Sequence, residues 1–540
     1  ELFGLKDGGT IDGRLLAPLR PELPKLKPGG TYLVEVVIRT LNMGHVFPQG
    51  TSDSNEIWVD FEARAGGRTI GRSGALSGPD DTGKVDEWAH FVNVLMLDRH
   101  GNRINRRNPQ DIFTPLYDHQ IPPGAAQVVH YKLDVPREVK GPIELNVRLR
   151  YRKFDHEYMS LVYKEQGNVP PLPIVDLCED KVRLPVEGAA QSVAEQAPPR
   201  EPLWQRWNDY GIGCLIEGGV GSKKGELKQA EEAFRKVIAL GEKSAMADGY
   251  LNVARVYFEE GRLSEAVAAL NQAQHADPPA NWWTVAWFNG LVNAQNGNFE
   301  AAAANFADIL DPKHQPRQRK FDFTRDYVVI NELGVTLFRM AQQEDEPAKR
   351  AELLRRAVAQ FERTLRIEPE DLDAHFWLAQ AYTRLSESLP PQTAKEPPEW
   401  VPVDSLIALM EVFVNTSSPR MARLQACADL CQAIVKYGQQ RLVPDKPKLP
   451  TLLALIDKCR PIYAQESEES VRAAAAKILG NLHRQTHAIY KPDDLARGQA
   501  VQIYTSKHPA AAAAAQAIVI YPTNRPGAPG LKGGENDHAR

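Results

Sequence analysis

A chain of 540 residues with 43% hydrophobic and 25% charged positions carries apolar material for roughly two to four domains. A formal net charge of −4 argues against a general nucleic-acid binder. No apolar run approaches the roughly 18–20 residues that a membrane-spanning helix needs; the nearest, Ala510 to Tyr521, is short and alanine-rich.

The first residue is Glu1 rather than a methionine, so the chain reads as a mature product or a fragment. Residues 1–186 read as an antiparallel β-sandwich. Thr31–Arg39 and Glu56–Ala63 are strands with alternating or buried runs. Ala126–Val135 alternates, and Ile143–Tyr151 places Ile143, Leu145, Val147, Leu149 and Tyr151 on one face. Val182–Val186 closes the region. Turns at Lys27–Gly30, Ala65–Gly67 and Ile121–Gly124 separate these strands. Residues 187–202, rich in Ala, Gln and Pro, form a linker.

From Leu203 the period becomes helical, and internal repeats define a solenoid of tetratricopeptide-like (TPR-like) units over 203–385. One unit runs through Tyr250, Ala254, Tyr257, Gly261, Ala266, Leu270, Ala273 and Pro278. Small residues stand where paired helices touch, aromatics fill the gaps, and a glycine makes the turn. Gly290, Gly297, Ala302, Phe306 and Ile309 repeat those offsets. Gly334, Ala357, Phe361 and Pro369 do so around an insertion, and Ala379 and Tyr382 begin a partial unit. A first unit spans Trp207–Gly211 and Gly225–Ala230, interrupted around Gly218–Gly221. Residues 386–487 are further helices that fit the repeat poorly, and 488–540 comprise C-terminal helices and an extended tail, flexible over Gly533–Arg540.

Five cysteines are present: Cys178, Cys214, Cys427, Cys431 and Cys459. None opens a C-x-x-C-H, so the chain attaches no haem covalently. Cys427 and Cys431 lack a companion pair at zinc-ligand spacing, and a buried structural role is the reading for most of the five. No P-loop, nucleophile elbow or HExxH occurs, and nothing marks an enzyme.

Several segments resemble the C-terminal part of bacterial TPR-containing multihaem cytochrome c proteins. They include Gly44–Phe61 (GHVFPQGTSDSNEIWVDF), Gly71–Gly74, His90–Asn102, Tyr117–Gly124 and Leu149–Phe154. Trp207–Gly213, Trp283–Trp287, Phe321–Asp326, Tyr490–Asp494 and Ala517–Pro522 continue the likeness in the same order. It covers about residues 1–385 and 483–531; residues 386–482 match nothing associated with that family. The resemblance implies a non-haem scaffold associated with a multihaem assembly. Haem c would sit in a missing N-terminal region or a partner subunit, and the location would be periplasmic or extracellular. The alternative is a structural or adaptor subunit of a filament or large complex without a redox role; a second rival is an enzyme whose β-domain binds a metal.

Within that reading His45 is the first candidate axial ligand to a haem outside the chain, then His119 and His90, since neutral imidazole suits haem iron. The alternative is that all three hydrogen-bond loop backbone. His100, His130 and His156 read as surface or strand residues. Asp53, Glu56, Asp60, Asp80, Asp81 and Asp86 read as loop charges, with a calcium site as the alternative. Trp282, Trp283 and Trp287 crowd one helix, either as repeat core or as aromatic anchors for a protein partner.

Overall fold

The computed structural model describes residues 1–50, 54–78, 83–165, 169–189, 196–218, 224–315, 321–389, 393–440 and 448–531. Asp53, Asp80, Asp81, Gly219–Gly221, the middle of the linker and the Gly533–Arg540 tail lie outside them. The chain divides into two compact units, Glu1–Ala280 with Asp493–Arg540, and Asn281–Pro492. No helix among the described residues is long and apolar enough to cross a membrane.

In chain order the strands begin β1 (Leu2–Asp7), β2 (Leu15–Leu16), β3 (Thr31–Arg39), β4 (Glu56–Ala65), β5 (Arg68–Ser73), β6 (Leu76–Ser77) and β7 (Lys84–Val85). They continue with β8 (Val94–Leu97), β9 (Arg103–Ile104), β10 (Thr114–Asp118), β11 (Ala126–Asp134), β12 (Ile143–Arg152), β13 (Val175–Leu184) and, far along the chain, β14 (Ile520–Pro522). A five-stranded sheet has the order β14-β11-β3-β1-β2, antiparallel except where β14 joins β11 in parallel. A four-stranded antiparallel sheet has the order β13-β12-β4-β5. Smaller pairings, β10-β8-β9 and β6-β7, flank them.

Side chains of both larger sheets meet in one core. Val34, Val36, Val129 and Tyr131 contribute from one sheet and Val59, Phe61, Leu145 and Val147 from the other. Phe61 and Tyr131 stack across it with ring centres 4.5 Å apart. The opposite face of β1, β3 and β11 is covered too. Phe3 stacks on Tyr210 at 4.4 Å, and a Cβ added at Gly213 would stand 2.6 Å from Val128. Burial on both faces explains why β3 reads as a continuous apolar run rather than an alternating one.

The helices of the first unit are α1 (His156–Val162), α2 (Leu203–Gly218), α3 (Lys224–Ala239), α4 (Lys243–Glu259) and α5 (Leu263–His275). The second unit follows with α6 (Trp282–Gln295), α7 (Phe299–Ile309), α8 (Tyr327–Gln343), α9 (Pro347–Ile367) and α10 (Leu372–Leu385). Then come α11 (Val403–Val414), α12 (Arg420–Gln439), α13 (Lys448–Gln465) and α14 (Glu469–Tyr490), after which α15 (Asp494–Thr505) and α16 (Pro509–Ala514) return to the first unit. Helices pair consecutively from α2–α3 to α8–α9. Beyond residue 386 α11–α12 and α13–α14 still pair consecutively, but α14 also packs against α10 and α12. Its buried run Ala473–Ala476 has little bulk, which permits that many neighbours.

Candidate functional site

One device recurs at the helix pairs. A Cβ added at Gly211 on α2 would meet the Phe234 ring of α3 at 2.7 Å. The same hypothetical atom on Gly290 meets Phe306 at 2.5 Å, and on Gly334 it meets Phe361 at 2.6 Å. In each pair the first helix gives up a side chain so that the second can seat a phenylalanine on its backbone. All three rings are fully buried. Gly261 and Gly297 turn their helix pairs at φ +73° and +80°, a conformation that favours glycine.

Four arginines gather in the second unit. Arg350 and Arg355 of α9, Arg384 of α10 and Arg472 of α14 line a groove of about 230 Å³ with Tyr463, Glu387 and Glu469. Arg355 pairs with Glu352 and Arg384 with Glu387 one helical turn away, at 3.5 and 2.8 Å. Arg350 and Arg472 bond to backbone carbonyls instead. The lining therefore carries more positive than negative charge.

The tryptophans of α6 separate. Trp287 packs on Phe306 and Trp283 on Phe323, both against the second unit's core. Trp282 is 36% exposed, edge-on to Trp283 and to His314.

His90 and His119 stand together in the first unit, rings stacked 4.9 Å apart, and Tyr117 stacks on the far side of His119 at 4.3 Å. They line a cleft of about 260 Å³ with Gln127, Glu217 and Tyr521. His90 is buried with both nitrogens engaged: Nδ1 is 2.9 Å from the Tyr521 hydroxyl and Nε2 is 3.1 Å from Gln127 Oε1. The amide oxygen only accepts, so Nε2 carries the proton and Nδ1 accepts from the phenol. Nδ1 of His119 donates to the Phe91 carbonyl at 3.1 Å. Burial, with His119 next to it, holds His90 well below the usual imidazole range; burial also lowers His119.

His45 is exposed and does not line that cleft; its Nδ1 donates to the Val46 carbonyl at 2.8 Å. Its loop is tied down nearby, since Phe47 and Ile121 exchange backbone hydrogen bonds of 2.9 and 2.8 Å. Among the acidic residues, the Glu56, Asp60 and Asp86 side chains are buried in arginine pairs rather than gathered or solvated. Glu56 pairs with Arg152, Asp60 with Arg72, Arg148 and Arg150, and Asp86 with Arg525. All five cysteines are free thiols, and only Cys178 is exposed.

A buried ionic cluster lies on the helix-covered face of the five-stranded sheet, and sequence reasoning missed it. Glu35 of β3 and His130 of β11 face each other in register. His130 Nδ1 is 3.1 Å from a Glu35 carboxylate oxygen and its Nε2 is 3.2 Å from Glu217 of α2. Lys6 of β1 reaches Glu35 at 3.4 Å and also bonds to Gln229 of α3. Burial opposes charge on His130, but Glu35 and Glu217 outweigh it and push the imidazole up to about 10. Glu226 of α3 is buried, and its carboxyl is raised by that burial although Lys6 pulls it down. A partial signal was present: Glu35 interrupts the apolar run Tyr32–Ile38 of β3, whereas Lys6 and His130 stand in strands that carry other polar residues and do not stand out.

Tetratricopeptide repeat family models match residues 223–286 and 348–387. The helices there are thus of the repeat class that the glycine–phenylalanine pairs also mark. No curated protein matches the chain. Among solved structures, the human IFIT1 dimer with m7Gppp-AAAA is similar at 13% identity over 64% of this chain and 76% of that one, with a TM-score of 0.21. A likeness that low fixes neither fold nor ligand.

Proposed function

We propose that the chain is a protein-interaction scaffold in which a β-sandwich is followed along the sequence by an α-solenoid of TPR-like repeats. The observation that supports this best is the repeated seating of a phenylalanine on a glycine in three helix pairs, α2–α3, α6–α7 and α8–α9, which overlap or adjoin the matched segments. Stacked helix pairs offer an extended surface for other proteins, and no catalytic family is matched. The arginine-lined groove of α9, α10 and α14 is the docking place, and its charge selects an acidic segment of a partner. Crosslinking mass spectrometry of the full chain in extract from its source cells tests this. Partner crosslinks should fall on these helices and should be lost in the variant carrying Arg350→Glu, Arg384→Glu and Arg472→Glu. A wild-type chain that crosslinks to no other protein overturns the scaffold reading.

A second reading, attachment to a multihaem cytochrome assembly outside the cytoplasm, is favoured by the geometry of His45. With Nδ1 donating to Val46, the Nε2 lone pair of an exposed ring is left for a metal held by another chain or region. His45→Ala should then alter the haem absorbance of the copurified complex. A complex that purifies without a Soret band ends this reading.

A further inference from the structure

We propose that His130, Glu217 and Glu226 bind one divalent transition-metal ion. One nitrogen of the histidine and one oxygen from each carboxylate already lie within 4.8 Å of one another. Ligands held about 2.1 Å from a tetrahedral ion sit about 3.4 Å apart. His130 Nε2 and Glu217 Oε2, 3.2 Å apart, already meet that spacing, and an oxygen of Glu226 lies within 4.8 Å of both.

Two further observations point to a ligand. Glu226 is fully buried, and neither of its carboxylate oxygens has a hydrogen-bond partner. A carboxylate taken out of water without a partner costs several kcal/mol or gives up its charge, so this arrangement asks for a cation. The second is the setting of His130. Its Nδ1 faces the buried Glu35 carboxylate, leaving Nε2 directed at the other two ligands. A carboxylate behind a histidine is the outer support that fixes a metal-binding imidazole in orientation and tautomer.

The charges also close once the ion displaces the proton from His130 Nε2: Lys6 offsets Glu35, and the divalent ion offsets Glu217 and Glu226, with the imidazole then neutral as third ligand. One nitrogen and two oxygens suit zinc, manganese or ferrous ions. Glu217 lines the histidine cleft, which provides an entry path and room for water at the remaining coordination position.

The full chain, stripped with a chelator and dialysed, should be titrated with Zn²⁺ and, separately, with Mn²⁺ by calorimetry, with bound metal measured by mass spectrometry. Wild type is expected to take up one equivalent. Glu217→Gln and Glu226→Gln should each abolish that uptake, and Glu35→Gln should weaken it roughly 10–100-fold. Glu217 is partly exposed, so its variant decides the matter if a buried substitution prevents folding, as judged by circular dichroism. No stoichiometric uptake by wild type, or unchanged uptake by Glu217→Gln, overturns the proposal. A thiolate charge-transfer band in the Co²⁺-loaded chain overturns it as well, because the ion would then rest on cysteine.

Discussion

His90 shows how one residue ties distant parts of the sequence together. Its loop position was legible as a candidate ligand, but its partner Tyr521 lies 431 residues away and no spacing could reveal it. His130 illustrates the converse. It read as an ordinary strand residue because a single sequence shows the alternation of a strand but not which strand stands opposite. The lowered pKa values of His90 and His119 carry a pH dependence. In the unfolded chain both titrate near 6.5, whereas the fold refuses the proton. Stability is therefore full above that value and is lost as pH falls through and below it, by up to about 1.4 kcal/mol per pH unit for each histidine. Chemical unfolding between pH 7 and 5 should show a shallower decline for His90→Gln than for wild type; parallel curves would contradict the assignment.

At the scale of elements, the repeat helices were readable because small residues, aromatics and turns recur at fixed offsets. Gly290 with Phe306 and Gly334 with Phe361 were named in advance as repeat positions, and the structure brings each pair into contact. Helix α14 was read as a helix, but its place among α10, α12 and α13 was not, since nothing local in an alanine-rich stretch selects its neighbours. Gly334→Ala separates propensity from packing. Alanine favours an exposed helix interior by about 1 kcal/mol over glycine. Here its Cβ would stand 2.6 Å from the Phe361 ring, and overpacking of this kind costs about 1–3 kcal/mol. The variant should melt below wild type, and Gly334→Ala with Phe361→Leu should recover part of the loss. A Gly334→Ala protein that melts higher would show that the ring moves aside at little cost.

At the scale of the molecule, the tail was expected as an extended appendage, and it turns out to complete a sheet. β14 lies parallel to β11 with Tyr521 opposite Tyr131, and the Thr523 hydroxyl donates to the Lys132 carbonyl at 2.7 Å. Arg525 pairs with the buried Asp86 at 2.6 Å. The sequence hid this because a three-residue strand is too short to show a period. Truncation after Ala515 should leave Asp86 without its arginine, a loss of the order of 3–5 kcal/mol for a buried charge. Amide hydrogen exchange at Tyr131 and Lys132 should accelerate; unchanged protection would mean that β14 contributes nothing to the sheet. The return of the tail also sets an order of events on the ribosome. The Glu1–Ala280 part of the first unit is synthesised first, yet its five-stranded sheet lacks β14 until Tyr521 emerges, after all of Asn281–Pro492. At about 5–20 residues per second that wait lasts roughly 12–48 seconds. Throughout it the open edge of β11 is exposed, and a chaperone guarding that edge would act on the nascent chain rather than on the finished protein.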